Sequence, residues 1–121
     1  MRRRSAGSGH PALLAKMAAV VDHVSGGRLD LGLGAGGDPG ADEMLGLPVL
    51  AARERVERLG EAAQVLRRLW TEPVAGFDGT YYRLLDAVSD PKPVQRPMPL
   101  WLASNGERRA CGWSPSGPTC G

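Results

Sequence analysis

Gly32-Leu33-Gly34-Ala35-Gly36-Gly37 is the segment whose residue types and spacing come nearest to a ligand-binding motif. It satisfies G-x-G-x-x-G, in which glycines allow a tight turn and let a phosphate or ring oxygen approach bare backbone N–H groups. Ser104-Asn105-Gly106 offers a second such turn ahead of a potential helix start. Arg53 and Arg55 could add a planar fork of donors to an anion. They share a helix with Glu54, Glu57 and Glu61, so a solvated, ion-paired face is the competing explanation. His10, followed by Pro11, can cap a helix or stand near a ligand, and His23 suits the negative end of a helix dipole.

Other chemistries lack their parts. The sequence presents no pair of carboxylates, no Ser-His-Asp set and no metal constellation, so no residue is assigned as catalytic and hydrolysis is unsupported. Cys111 and Cys120 stand nine apart with no histidine near them, which argues against zinc. Trp70, Trp101, Tyr81 and Tyr82 are spaced for ordinary packing and not for ring stacking on a cofactor.

The elements that would position these residues follow from periodicity. Leu13, Leu14, Met17, Val20, Val21 and Val24 recur at helical spacing, with Pro11 at the first turn and Ser25-Gly26-Gly27 as the stop. Arg28 to Leu33 alternates as a strand, with Leu29, Leu31 and Leu33 on one face and Asp30, Gly32 and Gly34 on the other. Residues 34–48 predict a long Gly, Asp and Pro-rich loop with one turn of helix around Asp42 to Leu45. Val56, Leu59, Ala63, Leu66 and Trp70 place a second helix over about residues 51–70. Phe77 to Tyr82, with Asp78-Gly79 inside, predicts a hairpin; four prolines between 91 and 99 make an extended connector; Leu100 to Ala103 is a short buried strand.

This order of helix, strand, loop, helix, hairpin and strand predicts an α/β chain with parallel βαβ units. Two such strands cannot close a (β/α)8 barrel, which takes about 250 residues. A length of 121 residues allows one domain, and 42% hydrophobic with 23% charged residues is the composition of a soluble globular chain. The net charge of +2 is not gathered into a stripe, so neither nucleic acid nor a membrane is an expected partner, and a cytoplasmic location is expected. A dinucleotide-binding fold would need a helix opening on the last glycine and an acidic residue ending a second strand roughly 20 residues on, where Pro39, Gly40 and then a helix stand instead.

Five motifs in order carry a more specific signal. His10 to Met17 followed by Ser25 to Gly36, then Arg53 to Trp70 ending in Leu-Trp, Phe77 to Tyr82, the Pro91 to Pro99 connector, and Leu100 to Gly106 resemble the luciferase-like monooxygenase family of flavin- or coenzyme F-420-dependent oxidoreductases. The resemblance covers roughly residues 10–110 and implies a partial (β/α)8 barrel, a central segment with about two barrel strands, two helices and a hairpin insertion. It implies reduced FMN or the deazaflavin F-420 as cofactor, acting on a small organic substrate by monooxygenation or hydride transfer. It places cofactor contacts at strand ends, at Gly34, Ala35, Gly36, Ser104, Asn105 and Gly106, with Arg53 and Arg55 as candidate anion partners.

The pattern breaks at both ends. Residues 1–9 are expected to be a disordered leader. Residues 111–121 have no helical period where the family continues with a helix. Written in GC-rich codons and read from the third base of Ala110, they would encode Leu-Arg-Leu-Val-Ala-Glu-Arg-Ala-Asp-Val, so this tail is expected to be a frameshift product. An incomplete barrel is expected to lack turnover on its own and to self-associate through exposed apolar faces. A non-enzymatic remnant or interaction module is the alternative from another class.

Overall fold

A computed structural model describes residues 2–5, 9–36, 39–103, 111–114 and 117–120. In chain order these form β1 (Arg2–Ser5), α1 (Pro11–Ser25), β2 (Leu31–Gly34), α2 (Pro39–Met44), α3 (Ala52–Thr71), β3 (Ala75–Asp78), β4 (Arg83–Ala87), β5 (Leu100–Ala103), β6 (Cys111–Ser114) and β7 (Gly117–Cys120).

Helix α1 starts and stops where its local chemistry dictates. The His10 Nδ1 accepts the Ala12 N–H at 3.1 Å, and Pro11 occupies the first turn without forfeiting a bond. At the far end Gly27 N–H donates to Asp22 O and Gly26 N–H to His23 O, with Gly26 at φ 70°, a left-handed closure that favours glycine. Helix α3 has no side-chain cap, and the Glu72 N–H closes it on Arg68 O.

The sheet order is β1-β2-β5-β6-β7. Strands β1, β2 and β5 are parallel, with Leu31 opposite Leu100 and Gly34 opposite Ala103; β6 and β7 continue the sheet antiparallel. Both helices cover one face of this open sheet. Leu31, Leu33 and Leu100 pack there against Ala15 and Ala18 of α1 and Leu59, Ala62, Ala63, Val65, Leu66 and Trp70 of α3. The Trp70 indole N–H closes the seam between the helices on Ala15 O at 3.0 Å.

Two buried polar groups fasten the proline connector to this core. Asp22, fully buried, accepts the Gln95 backbone N–H at 2.9 Å, the Gln95 side-chain amide at 2.7 Å and the Leu29 N–H at 3.4 Å. Burial opposes its charge, but these hydrogen bonds outweigh that and hold the carboxyl below its ordinary value. Arg67 donates to Met98 O at 2.6 Å, and burial pulls its guanidinium below the usual range, where it remains charged.

The structure departs from the sequence reading in four places, one of them the strand expected over Arg28 to Leu33, which is β2 at Leu31–Gly34 because residues 28–30 still belong to the turn out of α1. Arg2–Ser5, read as part of a disordered leader, is a strand paired with β2, an association made by backbone bonds that no apolar alternation announces. Parallel strands therefore number three among the described residues, against the two expected. The helical turn expected around Asp42 to Leu45 is α2, which begins earlier at Pro39. The hairpin turn spans residues 79–82, so Tyr81 and Tyr82 belong to the turn and β4 begins at Arg83. The cause is a distant side chain: the Glu61 carboxylate accepts the N–H groups of Thr80, Tyr81 and Tyr82 at 2.7, 2.9 and 3.1 Å, holding the turn open against α3.

Candidate functional site at the carboxyl ends of the parallel strands

Strand register sets the carboxyl ends of β2 and β5 side by side. Gly34 lies opposite Ala103, and the Ala35 N–H donates to Ala103 O at 3.1 Å, so the chain leaves β2 and β5 at adjacent points. Gly36 then takes φ 78°, a conformation that suits glycine. Ser104, Asn105 and Gly106 lie outside the described residues, as does Gly37.

The two candidate arginines part company. Arg53 points to solvent, 91% exposed, and pairs with Glu57 at 2.8 Å, the solvated i,i+4 arrangement. Arg55, two residues on, turns inward beside Ala35, Asp42, Leu47, Pro48 and Leu50, around a cavity of about 10 Å³, room for one water. Its Nε is buried and has no hydrogen-bond partner. That is an unusual state for a charged donor, and an acceptor oxygen delivered by a ligand would relieve it. The structure thus gathers Gly34, Ala35 and Arg55 at one strand end and leaves Arg53 outside.

A second cluster at the same end is not one the sequence motifs single out. The His10 ring meets the Tyr82 ring edge-on at 5.3 Å. Because His10 Nδ1 is the acceptor in the helix cap, its proton in the neutral ring sits on Nε2, which is left as a donor. Beside it, the Arg58 guanidinium lies 4.7 Å over the Tyr81 ring and bonds Glu54 at 3.0 Å. The Tyr81 hydroxyl donates to Glu57 at 2.7 Å; this bond raises the Tyr81 phenol from its ordinary value and, together with the bond from Arg53, lowers the Glu57 carboxyl. Only the His-Pro pair hinted at this wall, since the tyrosines reach it through the displaced turn.

The remaining candidates are structural. His23 bonds Lys92 O at 2.6 Å, and Trp70 is core. A cleft of about 530 Å³ opens at the other end of α3, lined by Arg67, Trp70, Lys92 and Gln95. Its ammonium is engaged with backbone, Lys92 donating to Leu69 O and Glu72 O at 2.9 and 2.8 Å. Among the described residues no group of three His, Cys, Asp or Glu could hold a metal ion, and no helix is long and apolar enough to cross a membrane.

The family model for luciferase-like monooxygenases matches residues 6–110. The chain belongs to that family. Curated relatives include an FMNH(2)-dependent dimethylsulfone monooxygenase of Pseudomonas putida, 36% identical over 100 residues that cover 83% of this chain and 28% of the relative. An F420-dependent glucose-6-phosphate dehydrogenase of Kineococcus radiotolerans is 35% identical over 97 residues, 80% of this chain and 28% of the relative. Among solved structures, the monooxygenase RslO1 from Streptomyces bottropensis superposes with a TM-score of 0.69 at 32% identity, covering 80% of this chain and 29% of that one. An F420-dependent secondary alcohol dehydrogenase does so with a TM-score of 0.68 at 27% identity. This luciferase-like chain therefore spans a little over a quarter of the length of the relatives it matches, and its open sheet is part of a barrel rather than a closed one.

Proposed function

We propose that this chain is a cofactor-binding segment of a flavin- or F-420-dependent oxidoreductase, contributing one wall of the site and no turnover by itself. The observation that carries the reading is the alignment of Gly34 with Ala103, because it ends β2 and β5 side by side, and in the sequence these ends are followed by Ala35-Gly36 and by Ser104-Asn105-Gly106. Dependence of the family relatives on FMNH(2) or F420 supports the cofactor class.

When bound, the cofactor supplies the hydride or oxygen chemistry. The chain's own residues hold it: the Ala35 N–H is committed to Ala103 O, so the glycines beside it serve by letting a ring or phosphate edge approach bare backbone, donors are expected from the backbone of residues 104–106, and Arg55 donates to an anionic oxygen. Substrate groups from elsewhere in a complete barrel complete the pocket, since strand ends share such sites. Fluorescence titration with FMN and with F-420 tests the reading. Saturable binding that Arg55→Ala weakens about tenfold, and that Arg53→Ala leaves unchanged, is the expected result. A well-folded chain that binds neither overturns it in favour of a non-enzymatic module.

A further inference from the structure

Cys111 and Cys120 are the two cysteines of the chain, and the fold sets them at one rung of a strand pair. Strands β6 and β7 run antiparallel with Cys111 opposite Cys120, Gly112 opposite Thr119, Trp113 opposite Pro118 and Ser114 opposite Gly117. Residues nine apart in sequence thus become direct neighbours across the ladder.

Which kind of rung they occupy decides whether their sulfurs can join. Opposite residues in an antiparallel pair alternate between exchanging both N–H···O bonds, with Cα atoms about 5.5 Å apart, and exchanging none, with Cα atoms about 4.5 Å apart and side chains closer. Pro118 has no N–H to give, so its rung with Trp113 is of the second kind. Two rungs on, Cys111 and Cys120 are of that kind too. The short connection sets the same parity: Ser114 and Gly117 are separated by two residues, and a two-residue hairpin closes on a hydrogen-bonded rung, which leaves the second and fourth rungs without bonds. The cysteines occupy the fourth. They therefore share one face of the ladder at a Cα spacing inside the span of about 4.4–6.8 Å that a disulfide accepts.

We infer that Cys111 and Cys120 form a reversible disulfide that clasps the β6–β7 hairpin. Oxidation runs by exchange with a small disulfide such as oxidised glutathione: one protein thiolate attacks it, one glutathione thiol leaves, and the second protein thiolate displaces the other glutathione. Two electrons pass to glutathione, and the two thiol protons end on its two released molecules. The clasp fixes more than the hairpin itself. Cys111 and Gly112 also pair with Leu102 and Trp101 of β5, so the closed hairpin holds the strand that covers the outer edge of the parallel sheet.

The full chain, equilibrated with mixtures of reduced and oxidised glutathione, alkylated and weighed by mass spectrometry, reads the disulfide as a loss of about 2 Da with no free thiol. At a fixed glutathione ratio, the proportion of closed to open chain is expected to be at least about tenfold higher in buffer than in about 8 M urea, where the hairpin is melted. The double variant Thr119→Cys with Cys120→Ser moves one thiol to the opposite face while shortening the loop by a single residue, and is expected to lose this preference. Equal closure in buffer and in urea, an equal preference in the shifted variant, or disulfides between chains instead of within one, overturns the inference.

Discussion

Asp22 is a carboxylate with three hydrogen-bond donors in a site closed to water. Its folded pKa lies below the unfolded value of about 3.9, so its contribution is fully present above that value and is lost as pH falls through the folded pKa. Urea unfolding should therefore show stability declining as pH drops below about 4, and Asp22→Asn should cost about 2 kcal/mol at pH 7 while flattening that acid limb. Unchanged acid dependence in the variant would show that another group carries it. The Asp22 to Gln95 pairing was not legible in the sequence, because the partners stand 73 residues apart and an acidic residue on a helix reads as solvent-facing. Arg55 and Arg53 were legible only as a pair. Which of them turns inward depends on the α2 segment folding over the helix, which no local pattern encodes.

Among the elements, helices α1 and α3 and strand β5 lie within a residue or so of where periodicity puts them: α1 has local stops in Pro11 and Gly26, β5 follows the proline connector, and α3, which has no side-chain cap, is marked by its long amphipathic repeat. The hairpin was displaced by a long-range carboxylate, and β1, rich in arginine, had no alternation to find. Glu61 and Gly79 make the turn a single mechanical part. A Cβ on Gly79 would come within 2.5 Å of both the Glu61 carboxylate and the Phe77 ring, and Glu61 is held by three N–H groups and cannot swing aside. Gly79→Ala is expected to cost about 2 kcal/mol or more, read by thermal unfolding. Glu61→Ala should speed hydrogen exchange at Thr80, Tyr81 and Tyr82 while the amides of α3 keep their protection. Equal exchange throughout would mean that the hairpin and α3 open together.

Across the whole molecule, membership in the luciferase-like family gives the architecture, and the chain spans 28% of the length of a curated relative. On the proposed reading the chain supplies one wall of a site, so the contacts available to a flavin are few while the association cost is undiminished. FMN or F-420 should bind at least about 100-fold more weakly than to a full-length relative under the same conditions, as isothermal calorimetry would show. Comparable affinity would mean that the residues described here make up most of the site. Exposed Met44, Leu45 and Val49 share the segment that supplies Asp42, Leu47, Pro48 and Leu50 to the small cavity beside Arg55, and residues 40–50 contribute no side chain to the core cluster.

The pairing of Gly34 with Ala103 also works as a ruler. Neighbouring strands stand about 4.8 Å apart, a spacing set by backbone bonds and insensitive to side-chain replacement. On the proposed reading, a molecule that touches both strand ends meets gauge marks that drift in surrounding loops cannot rescale, so selection among ligands would begin with the spacing of their polar atoms and only afterwards with their charge.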